Sequence, residues 1–160
     1  MKAHLVRTAT LLAFVGALAG AGAFLVTRWD STSEQTLLKS DHREVVALGE
    51  RIYASQCASC HGKDLQGEPD WQSPDEEGYL PAPPHDETGH TWHHADDVLF
   101  NVTKNGLAGY AGPNYRTRMP EFGGILTAEE IVAVLSYIKS EWPRDVRERH
   151  DALNEATENP

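Results

Sequence analysis

The two cysteines of this chain are three positions apart, in Cys57-Ala58-Ser59-Cys60-His61-Gly62. No other segment restricts the fold as much. A single cysteine pair cannot staple a disulfide-rich scaffold, and the string C-x-x-C-H reads as the covalent attachment site of a c-type haem. The spacing has a geometric reason. Two thiols one helical turn apart reach the two vinyl groups on one porphyrin edge, and the adjacent imidazole of His61 faces the iron. Three other readings compete. A tetrahedral zinc site needs four ligands, and there is no second cysteine pair. A thioredoxin-like redox pair needs a preceding strand and a βαβ context. A structural disulfide suits an oxidising compartment but leaves the domain short of core.

Length and charge narrow the function. A chain of 160 residues makes one ordinary domain. Residues 1–28 carry three bases (Lys2, Arg7, Arg28) and no acid, so the remaining 132 residues hold 11 bases against 24 acids. That surface repels phosphate backbones and excludes nucleic-acid binding.

Residues 9–26 form an uncharged run between Arg7 and Arg28. As a helix it measures roughly 27 Å, close to the ~30 Å hydrocarbon core. The basic start favours a cytoplasmic N-terminus and places the rest outside. Residues 1–28 are thus read as a membrane anchor, with a cleaved signal as the competing reading because Ala19-Gly20-Ala21 and Ala21-Gly22-Ala23 fit the small-x-small rule. Both readings export the domain. Residues 29–40 are expected to be a flexible linker, 41–143 the folded domain, and 144–160 a charged tail of alternating sign that can extend as a short helix.

Within 41–143 the periodicity predicts three main helices and no strand. The first runs over 42–56, with Asp41 as its cap and Val45, Leu48 and Ile52 on one face. A shorter one spans 95–104 and is closed by Asn105-Gly106. The last starts at the capping-box spacing Thr127/Glu130 and carries the stripe Ile131, Val134, Leu135, Ile138. Between Gly62 and Trp92 lie 31 residues holding five of the nine prolines. Loops of that length are uncommon in compact domains unless they wrap something functional.

The chain resembles the class I cytochrome c family, in particular membrane-anchored monohaem bacterial members. The residues that carry the resemblance are Gly49-x3-Tyr53-x3-Cys57-x2-Cys60-His61, Met119-Pro120-x-Phe122, and Leu126-Thr127-x2-Glu130-Ile131 leading to Tyr137-Ile138. The resemblance implies an all-α, small cytochrome c fold of three main helices and long loops around one covalent haem c, following an N-terminal transmembrane helix. It implies haem held by Cys57 and Cys60, with His61 and Met119 as the iron ligands; Met119 is the sole methionine besides Met1. It also implies that Gly49 lets the first helix approach the last near Val134 and Tyr137. A proline carbonyl from 81–84 is expected to accept the ring N–H of His61.

The function implied is electron transfer rather than enzymatic turnover. The carrier is expected as a single-pass protein of the bacterial inner membrane, its haem domain on the periplasmic side. It would exchange single electrons with redox proteins of the membrane electron-transport chain that present a positive docking face, the acidic run 68–77 supplying the complementary charge. Four histidines (His85, His90, His93, His94) crowd a ten-residue loop. They read first as hydrogen-bonding loop residues near the haem edge, with His94 helping to cap the next helix. They also support an alternative, a copper-handling or metal-sensing haem protein. A peroxidase would need an open sixth position, which Met119 would fill.

Overall fold

The computed structural model describes residues 37–112 and 115–158; the expected anchor 1–28 and most of the expected linker lie outside them. The described residues form helices and loops and contain no strand. No helix among them is long and apolar enough to cross a membrane. The helices are α1 (Arg43–Gln56), α2 (Ala58–His61), α3 (Asp96–Asn105), α4 (Ala108–Ala111), α5 (Ala128–Glu141) and α6 (Arg144–Glu158), with a 3₁₀ turn at Thr91–His93.

Helices α1 and α5 are the packed centre of the domain. On α1 the side facing α5 carries Gly49, Ile52 and Tyr53, with Val45 and Leu48 at its margin. The stripe of α5 is buried as its spacing predicts, with Ile131, Val134, Leu135 and Ile138 all nearly inaccessible. Gly49 sits where the two helices touch. A Cβ there would collide with the Ala133 carbonyl and come within 2.8 Å of the Tyr137 Cβ, so only glycine permits this approach. The contact falls in the expected region, on Tyr137 and on Ala133 beside Val134.

Local signals decide the helix ends. The Thr127 hydroxyl accepts from the Glu130 amide at 3.2 Å, and the Glu130 carboxylate accepts from the Thr127 amide at 2.9 Å. This satisfies two donors that would otherwise lack partners. Helix α3 ends at Gly106 as expected. Asp41 does not cap α1; His42 occupies that position without a side-chain hydrogen bond. His94 does not cap α3 either, since Ala95 takes the position.

One expected boundary is corrected, and the expected tail is a longer, packed helix. Leu38 and Lys39, assigned to a flexible linker, are fixed to the domain. Leu38 is 3% exposed and its amide donates to Asp96 Oδ2 at 2.9 Å, while the Lys39 amide donates to Ser136 Oγ at 2.8 Å. The expected charged tail is helix α6, which buries Val146, His150 and Asn154. Asn154 accepts from the Asp96 amide at 2.8 Å and donates to Asp96 Oδ1 at 3.1 Å; His150 Nε2 donates to the His94 carbonyl at 3.0 Å. Lys139, also buried, is neutralised by Asp151 at 2.6 Å. These buried polar groups are paired, which is what makes their burial tolerable.

Candidate haem-binding site

Helix α1 delivers the cysteines. The Cys57 amide donates to the Tyr53 carbonyl at 2.9 Å, and the Cys57 carbonyl accepts from the amides of Cys60 and His61 at 3.1 and 2.9 Å. One further helical turn, α2, therefore carries Cys57, Cys60 and His61 together. Tyr53 braces it by donating its hydroxyl to the Gly62 carbonyl at 2.9 Å. Burial, followed by the nearby Cys57, raises the Tyr53 pKa, so the phenol remains a donor.

Both cysteines are free thiols, Cys57 half-buried and Cys60 exposed. Burial pushes the Cys57 thiol up to about 11, with Cys60 adding to the effect. His61 is buried, and its Nδ1 lies 2.9 Å from the Pro83 carbonyl. A carbonyl only accepts, so Nδ1 carries the proton and Nε2 the lone pair. Burial is also the main cause of a lowered His61 pKa, which keeps the ring neutral. Two unpaired thiols one turn apart, beside a neutral imidazole with Nε2 as its donor, are the donor set that a covalent haem requires. The residues fit the group.

The Pro83 carbonyl is in place because the long loop folds back on itself. The Gly67 amide donates to the His61 carbonyl at 2.8 Å, Glu68 to Ala82 at 2.9 Å, and His85 to Leu65 at 2.7 Å. Glu68 also accepts from the Ala82 amide at 2.6 Å through its carboxylate. At Gly67, φ is +68°, and an added Cβ would lie 2.5 Å from the Pro84 nitrogen. Glycine is needed there twice over, for the dihedral and for the close approach. Sequence reasoning reached the segment 81–84 but not Pro83 itself, and it missed Gly67.

His85 takes the hydrogen-bonding loop role expected of it, and its stack on His61 was not foreseen. The His85 ring is half-buried and stacks on His61 with centroids 3.9 Å apart; its Nδ1 is 2.8 Å from the Thr91 hydroxyl, and its carbonyl accepts from the Trp142 indole at 2.7 Å. The other loop histidines also have ring partners: His90 stacks on Trp71, His93 on Trp92, and His94 meets His90 edge-on. Among the described residues, no group of three or more His, Cys, Asp or Glu converges as a metal-ligand set. The copper-handling alternative therefore has no assembled site here.

Met119 belongs to a separate, extended segment, residues 115–122. It is half-buried, and its amide donates to the Thr117 hydroxyl at 3.0 Å. Downstream the segment is fastened by buried Phe122 and by amide bonds from Phe122 and Gly123 to the carbonyls of Thr103 and Lys104, at 3.1 and 2.8 Å. The turn α2 unites three of the four expected site residues; the fourth is positioned by these other contacts.

The acidic run is not the bare charged face that its sequence suggests. Asp75 and Glu77 are taken up by Arg118, at 2.6 and 2.9 Å. The Asp75 carboxyl is held below the ordinary carboxylate value by the Tyr79 amide and by Arg118.

A helical domain whose C-x-x-C-H turn follows its first helix, and whose first and last helices cross at a glycine, is a class I c-type cytochrome. The family model for cytochrome c oxidase, cbb3-type, subunit III, matches residues 44–138, more than half of the chain, and the chain belongs to this family. Covalently bound haem c, haem-based electron transfer and redox partners in electron transport come with that membership. No curated protein and no solved structure matches the chain. Helix α6 lies beyond the matched residues.

Proposed function

We propose that the protein is a non-enzymatic one-electron carrier on the periplasmic face of a bacterial inner membrane, held there by residues 1–28, in which His61 and Met119 would hold the haem iron. The observation that carries the ligand assignment on the histidine side is the His61 Nδ1 bond to Pro83, which orients the ring and leaves Nε2 as the donor. Cys57 and Cys60 would hold the group as thioethers. When bound, haem c supplies a reversible one-electron iron couple.

The chain's own residues supply the rest. The Pro83 carbonyl fixes the His61 tautomer and strengthens the imidazole as a donor. The folded loop 62–92 excludes water from the histidine side. Met119, a soft thioether donor, would favour reduced iron and raise the potential relative to a second histidine. The domain's excess of acids over bases would steer it towards a positively charged partner, most strongly at low salt.

The test is the Met119→Ala variant of the holoprotein. It is expected to lose the weak long-wavelength band that marks thioether ligation of ferric haem, and to show a lower reduction potential. An unchanged spectrum and potential would remove Met119 from the site.

A further inference from the structure

We propose that Arg116 and Arg118 form a side-chain clamp with Tyr79, Asp75 and Glu77 that holds the Met119 segment against the loop following the haem motif, and that this clamp sets how readily Met119 leaves the iron. The inference rests on the reading of Met119 as an axial ligand. The five residues are positioning residues, acting through the segment that carries the methionine.

The clamp joins two parts of the chain about 40 residues apart. Arg118 spreads its fork over two carboxylates, Nη1 to Asp75 at 2.6 Å and Nη2 to Glu77 at 2.9 Å. Arg116 donates from Nη2 to the Tyr79 hydroxyl at 3.1 Å and from Nη1 to the Glu77 carbonyl. Both guanidinium carbons lie 4.2 Å from the Tyr79 ring centroid. Guanidinium groups at that distance are attracted by the ring quadrupole as well as by the acids.

The receiving side is built independently of the arginines. The Asp75 carboxylate accepts from the amides of Glu77 and Tyr79 at 3.0 and 2.9 Å, and the Asp75 amide donates to the Tyr79 carbonyl at 2.9 Å. The arginines thus close onto a formed turn, and closing orders few additional groups.

Exposed ion pairs add little to global stability, and Arg118 is half-exposed. The effect expected here is local. Among the described residues, the hydrogen bonds that tie 115–121 to a distant segment all come from the two arginines. Arg118 immediately precedes Met119. Releasing the clamp leaves the methionine held from the Phe122 end alone, while the α1–α5 core is untouched. Local opening of this kind lies at the low end of the free-energy range within one fold.

The experiment compares ferric holoproteins: the unaltered chain, Arg116→Gln, Arg118→Gln, the double variant, Tyr79→Leu and Arg118→Lys. Cyanide association rate, the thioether band and the thermal midpoint are read on each. Single glutamine variants are expected to bind cyanide about two- to fivefold faster, and the double variant roughly tenfold faster. Tyr79→Leu should add little to the double variant, because the ring's partners have already gone. Arg118→Lys should fall between, keeping the charge but losing the fork. Salt at ~1 M, where the Debye length is ~3 Å, should speed the unaltered protein but not the double variant. Midpoints should stay close together. Cyanide rates in the double variant equal to those of the unaltered protein, with the thioether band present in both, would overturn the clamp alone. Absence of that band from the unaltered protein would overturn the ligand reading, and the clamp with it.

Discussion

The histidine side and the methionine side of this site are held by different physics. His61, itself buried, is oriented by the backbone of the long loop through the Pro83 carbonyl and the Gly67 approach, with the His85 ring stacked on it and the Trp142 indole bonded behind. Met119 is flanked by side-chain contacts that remain partly in water, those of Arg116 and Arg118 with Tyr79, Asp75 and Glu77. Buried backbone bonds are insensitive to salt, and breaking one strands a polar group. Surface ion pairs are screened and individually weak. Under the proposed ligation, one ligand would be fixed as part of the fold and the other fastened at the surface. In that reading His61 would stay in place when Met119 lets go.

Substitutions on the histidine side should have the largest effects. Gly67→Val combines a left-handed dihedral with a Cβ pressed on Pro84, and should destabilise the holoprotein by about 3 kcal/mol or more. Denaturant unfolding measures it; a loss under about 1 kcal/mol would show that the 81–84 segment moves aside freely.

Trp142→Phe comes next. It keeps most of the ring volume but strands the His85 carbonyl, so about 1–3 kcal/mol should be lost. Urea midpoints would check this. A neutral result would mean that the indole bond does not support the loop.

A pH effect sharpens the comparison further. His150 is fully buried, and desolvation together with Lys139 keeps its pKa below the ordinary 6.5, against the opposing pull of Asp96 and Asp151. The unfolded chain then binds the proton more readily, so stability is complete above pH 6.5 and falls as pH drops towards the folded pKa. The slope contributed by this one group is at most about 1.4 kcal/mol per pH unit. Stability measured against pH should decline below that value and flatten in His150→Gln. An identical slope in that variant would assign the decline to other histidines.

The smallest effect belongs to the methionine side. Arg118→Gln should change global stability by less than about 1 kcal/mol, since both its carboxylate partners reach solvent. A larger loss in thermal unfolding would mean that the clamp belongs to the cooperative core.

The parts of this design that could be read from the chain are those encoded within a few residues. Cys57-x-x-Cys60-His61 forms one turn, Thr127 and Glu130 form their reciprocal cap, and Gly106 ends α3, each decided locally. The approach of Gly49 to α5 came from family resemblance, and it falls in the expected region, on Ala133 and Tyr137. What could not be read depends on chain closure over long distances. Nothing in Pro81-Ala82-Pro83-Pro84 marks Pro83 until Gly67 brings the two strands of the loop together. The Asp96–Asn154 pair spans 58 positions, so the helical tail gave no sign of the polar face that α6 buries. Arg118 and Asp75 are 43 positions apart, and nothing in either sequence neighbourhood marks the other as its partner.

The most direct measurement of the difference between the two ligands is NMR of the ferric holoprotein in rising urea, following the hyperfine-shifted ring protons of His61 and the ε-methyl of Met119. The Met119 methyl signal is expected to disappear at a denaturant concentration where the His61 signals keep their native shifts and the α1–α5 amides remain protected. Simultaneous loss of both ligands with the global transition, or loss of His61 first, would contradict a buried, backbone-held histidine opposite a surface-fastened methionine.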